Sequence, residues 1–299
     1  MDKEAFRKQL LEETEWINKK IYGFLPGDTT YQKIISEAME YSLMAGGKRI
    51  RPMIMWETYK MSGGKDESLV LPFMAAIEMI HTYSLVHDDL PAMDNDEYRR
   101  GRKTTHIVYG EDIGILAGDA LLNYAFETAM AGFTDSSNIM LKAGALKILA
   151  AKAGVYGMLG GQVVDVLKTG KPVSKDELLF IYSLKTGALL EAAFMAGALL
   201  AGADSATVGK FEEAGYYTGL AFQIQDDILD ITSTAEELGK PVHSDEKNEK
   251  STYVSLYGMD MAVKAVKDYS EKALAILNSM PVQNLYLNTL VEMLIKRKK

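Results

Sequence analysis

Residues 178–200, LLFIYSLKTGALLEAAFMAGALL, are apolar nearly all round a helical circumference, broken chiefly by Lys185 and Glu191. A helix with no polar face must be covered on every side by other helices, so this stretch reads as a central member of a bundle. Its apolar C-terminal part is interrupted by Glu191 and by glycines. That leaves it short of the roughly 18–20 residues of a membrane span, and no span is expected.

Working outward, Phe6, Leu10, Ile17 and Ile21 recur at i, i+4, i+11 and i+15, and similar stripes run through most of the chain. Alternating apolar patterns closed by Asn-Gly or Asp-Gly turns are absent, so strands are not expected. Breaks fall at 23–30, 62–66, 101–105, 132–137, 169–174, 202–205 and 239–251. None is a Gly/Ser-rich or Pro-rich linker, and no fixed-period repeat is visible. The expectation is an all-α protein, a single domain over residues 1–299, made of long helices packed around a deep central cavity.

Composition narrows the function. With 33 Lys and Arg against 41 Asp and Glu, the net charge of −8 suits neither nucleic acid nor an anionic membrane as main partner. The chain has no cysteine, which removes disulfides, thiolate catalysis and Cys-ligated zinc, and only four histidines. A metal site must then rest on oxygen ligands and suits a hard cation such as Mg²⁺. The N-terminal run MDKEAFRKQLLEETEWINKK is charged and amphipathic, unlike a signal peptide or anchor, so a soluble, cytoplasmic protein is expected.

Two clusters hold the candidate chemistry: His87-Asp88-Asp89-Leu90-Pro91-Ala92-Met93-Asp94 and Gln225-Asp226-Asp227-Ile228-Leu229-Asp230. An aspartate pair is commonly a solvated helix end. Here both clusters sit in apolar helical runs, where unpaired carboxylates cost several kcal/mol each. At about 100° per residue, Asp226, Asp230 and Gln223 share one helix face. Asp88 and Asp94 would lie about 120° apart on a regular helix. Pro91 removes the amide that would bond the His87 carbonyl, and a kink there would return Asp94 to the side of Asp88. Carboxylates opposed across a cavity would suit Mg²⁺ ions that keep positions open for phosphate oxygens.

Basic residues complement them. Gly46-Gly47-Lys48-Arg49-Ile50-Arg51 puts Lys48 and Arg51 on one helical face behind a glycine pair able to approach a ligand. Arg99 and Arg100 follow the first cluster, Lys185 and Thr186 head the apolar segment, and Lys240 and Lys250 follow the second cluster. Singly, each is an ordinary solvated turn; jointly they describe an anion site beside a metal site, with diphosphate the natural anion. His81 lies two turns before Asp88 near the same face. It closes one Glu-x-x-His, but positions 84, 103 and 240 are Ser, Lys and Lys, so the second such pair of a di-iron bundle is missing.

The motifs DDLPAMD with NDEYRRG, and the distal FQIQDDILD, resemble the two aspartate-rich motifs of the trans-isoprenyl diphosphate synthases. The likeness extends in order through GGKRIRP, EMIHTYSLVHDD, ILAGDALL, GGQVVDV, LKTGAL, LGKP and KSTY, and is greatest to bacterial members that make a C15 product. Lys103, His243 and Val166 depart from the family pattern at positions that bear none of the chemistry.

The resemblance implies that an allylic diphosphate (dimethylallyl or geranyl) condenses head-to-tail with isopentenyl diphosphate. It implies three Mg²⁺ ions, replaceable by Mn²⁺, on Asp88, Asp94 and Asp226, with Asp89, Asp227 and Asp230 adjacent. Arg99, Lys185, Lys240 and Lys250 would add positive charge at the leaving diphosphate, while Thr186 and Gln223 would stabilise the allylic cation. Lys48, Arg51, His81 and Arg100 would hold isopentenyl diphosphate. A homodimer is also implied. The competing classes are a terpene cyclase and a non-catalytic prenyltransferase subunit. The first is disfavoured by the DDILD form of the second motif, the second by retention of both motifs.

Product length in this family depends on residues just before the first aspartate motif, here Tyr83 and Ser84. At about 1.5 Å per residue Tyr83 lies some 7–8 Å down the helix from Asp88, although Ser84 points more nearly beneath it. An aromatic stop there implies farnesyl diphosphate, with geranylgeranyl diphosphate the alternative.

Overall fold

The computed structural model describes residues 2–27, 30–133, 137–233 and 250–295. The described residues are almost entirely helical, as expected, and form two compact units. One comprises Asp2–Trp56 with Asp66–Leu146, the other Glu57–Lys65 with Lys147–Lys299; two of the three boundaries fall inside helices and the third, 65/66, in the connection just before Glu67.

The first unit contains α1 (Lys3–Tyr22), α2 (Lys33–Leu43), the start of α3 (Ile50–Met61), α4 (Glu67–Asp88), α5 (Thr105–Tyr109), α6 (Glu111–Ala131) and the start of α7 (Ile139–Ala153). α4 is its centre. Residues 72–80 are buried without a break, and the helix packs on α6, with α1 and α2 alongside. The Asp66 carboxylate starts α4 by accepting the Ser68 amide at 2.9 Å, and Asp2 does the same for α1. The stripe Phe6, Ile17 and Ile21 is buried. Among the described residues the sole sheet is a two-residue antiparallel ribbon, Tyr98–Arg99 (β1) against Arg102–Lys103 (β2), turning at Gly101 with φ +76°. It is too short to leave an alternating pattern.

The second unit contains α8 (Met158–Lys168), α9 (Lys175–Ile181), α10 (Ala188–Leu200), α11 (Ser205–Thr232), α12 (Tyr253–Tyr257), α13 (Met259–Asn278) and α14 (Leu285–Ile295). α10 packs on α11, and α11 on α13. The stretch 178–200 is central, as read. It is not one regular helix, because Tyr182–Gly187 widens into a π-helical turn joining α9 to α10. Neighbouring backbones press on that turn: a Cβ at Gly161 of α8 would sit 2.3 Å from the Lys185 nitrogen, and one at Gly219 of α11 2.5 Å from the Gly187 Cα. Glu191, the charge inside this apolar segment, is buried but ion-paired. Lys152 Nζ binds its carboxylate and, at 2.7 Å, that of Glu212.

Continuity through the π turn corrects the length estimate made from sequence. Lys175–Leu200 spans 26 residues and Glu67–Asp88 spans 22, both long and apolar enough to cross a bilayer by composition. Most of each apolar window is buried inside the protein, 67% and 78% respectively, as in core helices.

Candidate active site

In the first unit, α4 supplies His81, Tyr83, Ser84 and Asp88. The helix stops at Asp88 instead of kinking onward as expected from Pro91. With no proline amide to continue the ladder, the chain turns: the Met93 and Asn95 amides donate to the Leu90 carbonyl at 2.9 and 3.1 Å, and the Asp94 amide donates to the Asp88 carbonyl at 2.9 Å. Asp94 is thus returned to Asp88 by a hydrogen-bonded turn.

Asp89 has a different role from its neighbours. It is buried and gripped by Arg99, whose Nε lies 2.7 and 2.9 Å from its two oxygens and whose Nη2 lies 2.6 Å away. Burial pushes the Asp89 carboxyl up, against the pull of Arg99. Arg100 adopts φ +53° and donates to the Gly46 carbonyl. A Cβ on Gly47 would fall 2.6 Å from its Nη1, so the glycine pair makes room for this arginine.

Lys48 and Arg51 do not share a helical face. α3 begins only at Ile50, Arg49 turns the chain at φ +50°, and Lys48 is exposed before it. Arg49, which the motif reading passed over, is buried and bonded to Glu78 Oε1 (2.7 Å), Asn18 Oδ1 (2.7 Å) and the Leu43 carbonyl (2.5 Å). Arg51 lies beside Arg100 and Glu78. Burial brings its guanidinium down to about 10, with Glu78 opposing and Arg100 reinforcing the shift, so it stays charged at neutral pH. Its Nε is buried without a hydrogen-bond partner, a donor whose desolvation goes uncompensated. Burial, then Arg51, Arg100, Arg99 and Arg49, push His81 well below its usual value and hold it neutral.

Tyr83 is buried, its ring edge-to-face with His87 at 5.8 Å and 84°. His87 Nε2 meets the Ile115 carbonyl at 3.0 Å, and a Cβ on Gly118 would collide with the imidazole at 2.1 Å. The tyrosine is therefore wedged in place through His87 against α6. The Ser84 hydroxyl donates back to the His81 carbonyl at 2.8 Å.

In the second unit a pocket is lined by Asp165, Tyr182, Lys185, Thr186, Gln223 and Lys250, with Asp227 beneath. The π turn presents Lys185 and Thr186. Lys185 Nζ lies 2.7 Å and Lys250 Nζ 3.9 Å from the same Asp165 oxygen, and Thr186 donates to Gln223 Oε1 at 2.7 Å. Asp226, Asp227 and Asp230 follow on α11, with Asp227 and Asp230 buried and Asp226 half-buried. Asp165 was missed from sequence. It stood inside GGQVVDV, but a single carboxylate on a helix carries no mark of its distant lysine partners. Lys240 and His243 lie outside the described residues.

The donor chemistry fits Mg²⁺: both clusters are carboxylates, and the turn after α4 draws Asp94 to Asp88. Among the described residues no group of three or more His, Asp or Glu side chains stands assembled around a metal position.

This pairing of carboxylate clusters with basic anion pockets on an all-α scaffold defines a diphosphate-handling helical enzyme. A family model described as polyprenyl synthetase matches residues 32–285. The geranylgeranyl diphosphate synthase of Cyanophora paradoxa is 47% identical over 89% of this chain and 86% of its own. The farnesyl diphosphate synthase of Geobacillus stearothermophilus is 43% identical over 88% of each. A solved geranyltransferase from Helicobacter pylori, complexed with magnesium and isoprenyl diphosphate, superposes with a TM-score of 0.84 at 29% identity, covering 96% of this chain and 95% of that one. The chain belongs to the polyprenyl synthetase family and is a trans-prenyltransferase.

Proposed function

We propose that this trans-prenyltransferase is a Mg²⁺-dependent farnesyl diphosphate synthase. Relatives of similar identity carry both C15 and C20 product names, so the tail length rests on one observation. Tyr83, five residues before Asp88, is a buried ring held rigid by His87, as a steric stop after the third isoprene unit requires.

Asp88, Asp94 and Asp226 are the carboxylates that would hold Mg²⁺ in this reading, and the metal would supply positive charge to the diphosphate leaving the allylic substrate. Lys185 and Lys250, with Lys240 and Arg99, bind that diphosphate. The Thr186–Gln223 pair turns oxygen dipoles toward the allylic cation. Arg51, with its unused Nε–H, binds the isopentenyl diphosphate oxygens together with Lys48, Arg100 and His81. Neutral His81 donates one N–H without adding charge. We also read the protein as a homodimer, on family likeness, which sedimentation at assay concentration tests.

The deciding experiment supplies the pure protein with labelled isopentenyl diphosphate, geranyl diphosphate and Mg²⁺, then sizes the products. C15 is expected. A C20 main product overturns the farnesyl assignment alone, whereas no Mg²⁺-dependent condensation overturns the whole reading.

A further inference from the structure

Asp227 stands in an aspartate motif but faces inward. Only 2% exposed, its Oδ2 accepts the Tyr182 hydroxyl at 2.5 Å and the Tyr253 amide at 2.7 Å. The same amide lies 3.2 Å from the Tyr182 oxygen, so the three groups close a triangle. Each corner belongs to a different segment. Tyr182 opens the π turn that presents Lys185 and Thr186. Asp227 follows Asp226 on α11. Tyr253 begins α12, started by the Thr252–Ser255 capping box, three residues after Lys250. Above this triangle, Lys185 and Lys250 converge on Asp165.

We propose that Tyr182 is a positioning residue of the leaving-diphosphate pocket, acting through Asp227. The buried carboxylate ties the backbones that bear Lys185 and Lys250 to α11, and so sets the gap between two ammonium groups that must embrace one diphosphate. The inference rests on the reading of this pocket as the allylic diphosphate site. Tyr182 acts in this proposal through the hydrogen bond of its hydroxyl to Asp227. Its hydroxyl completes the clamp, and without it the Asp227 carboxylate keeps its bond to the Tyr253 amide but loses its bond to the π turn.

The test is Tyr182→Phe, which removes one oxygen and keeps the ring. Affinity for inorganic diphosphate with Mg²⁺, measured by calorimetry, should fall about tenfold, the allylic KM should rise similarly, and the isopentenyl diphosphate KM should stay within about twofold. Asp227→Asn keeps an acceptor for both donors and should lose no more than about tenfold in turnover, whereas Asp226→Asn should lose several orders of magnitude. Unchanged diphosphate affinity in Tyr182→Phe, or equal changes for both substrates, overturns the clamp. So does an Asp227→Asn loss matching that of Asp226→Asn, which also decides the matter if Tyr182→Phe fails to fold. A fully active Asp226→Asn would instead overturn the pocket reading beneath it.

Discussion

The amide of Asp94 donates to the carbonyl of Asp88 at 2.9 Å, across a turn that begins where α4 ends. The turn joining these two residues carries a backbone hydrogen bond that removing either side chain does not delete. Asp88→Ala and Asp94→Ala should fold normally and lose turnover by orders of magnitude, about 10²-fold or more. Chelator should silence the wild type, and added Mg²⁺ should restore it. Near-normal turnover of Asp88→Ala would sink the metal assignment.

Asp165 aligns Lys185 through a 2.7 Å ion pair. With Asp165→Asn the ammonium loses its charged partner and its direction. The allylic KM should rise about tenfold, with little change for isopentenyl diphosphate. Steady-state kinetics with each substrate varied in turn decides this, and an unchanged allylic KM refutes the orienting role.

Arg49 and Glu78 form an ion pair whose side chains are 1% and 3% exposed. Glu78→Gln leaves the guanidinium buried against a neutral partner and should cost about 3 kcal/mol of stability. Urea unfolding measures it. Loss of the exposed Lys8–Glu12 pair by Glu12→Gln should cost less than about 0.5 kcal/mol. Equal costs would mean that burial does not set the strength of the Arg49 pair.

His81 gives a pH signature with a definite sign. In the folded chain burial and four arginines keep it neutral well below the usual value, while the unfolded chain takes up a proton near pH 6.5. Below about pH 6.5 the unfolded state therefore binds more protons, so this stability contribution is complete above that pH and is lost on acidification. Unfolding curves at pH 7.5 and pH 5.5 should converge in His81→Gln relative to wild type. An undiminished acid loss in the variant contradicts the assignment.

Tyr83→Ala removes the ring that His87 steadies. The enzyme should remain active and its main product should lengthen from C15 to C20 or beyond, read by chromatography of the dephosphorylated alcohols. A variant still halting at C15 would mean that the stop lies elsewhere.

Helices and carboxylates were legible in the sequence because they obey local rules. The Phe6–Ile21 stripe repeats at helical spacing, and aspartates inside apolar runs announce a cost that function must justify. What escaped depends on distance along the chain. Arg49 looks like one more basic residue of GGKRIRP until Glu78, 29 residues on, is seen to neutralise it. Asp165 and Lys185 are separated by 20 residues, and Asp227 and Tyr253 by 26. Pro91 was read rightly as a disruption, but not which disruption: a missing amide permits either a kink or a stop, and only the hydrogen bonds of the turn that follows distinguish them.

The contact between Gly187 and Gly219 limits how this pocket can evolve. Because Gly219 cannot accept even a methyl group without meeting the Gly187 backbone of the π turn, the spacing behind Thr186 and Gln223 is written in backbone rather than in side chains. If Tyr83 sets the chain length, as proposed, substitutions around it shift the product distribution while that spacing persists unchanged. In that reading chain-length specificity can be altered by substitution, whereas the spacing of the polar pair Thr186–Gln223 is set by a glycine that admits no substitute.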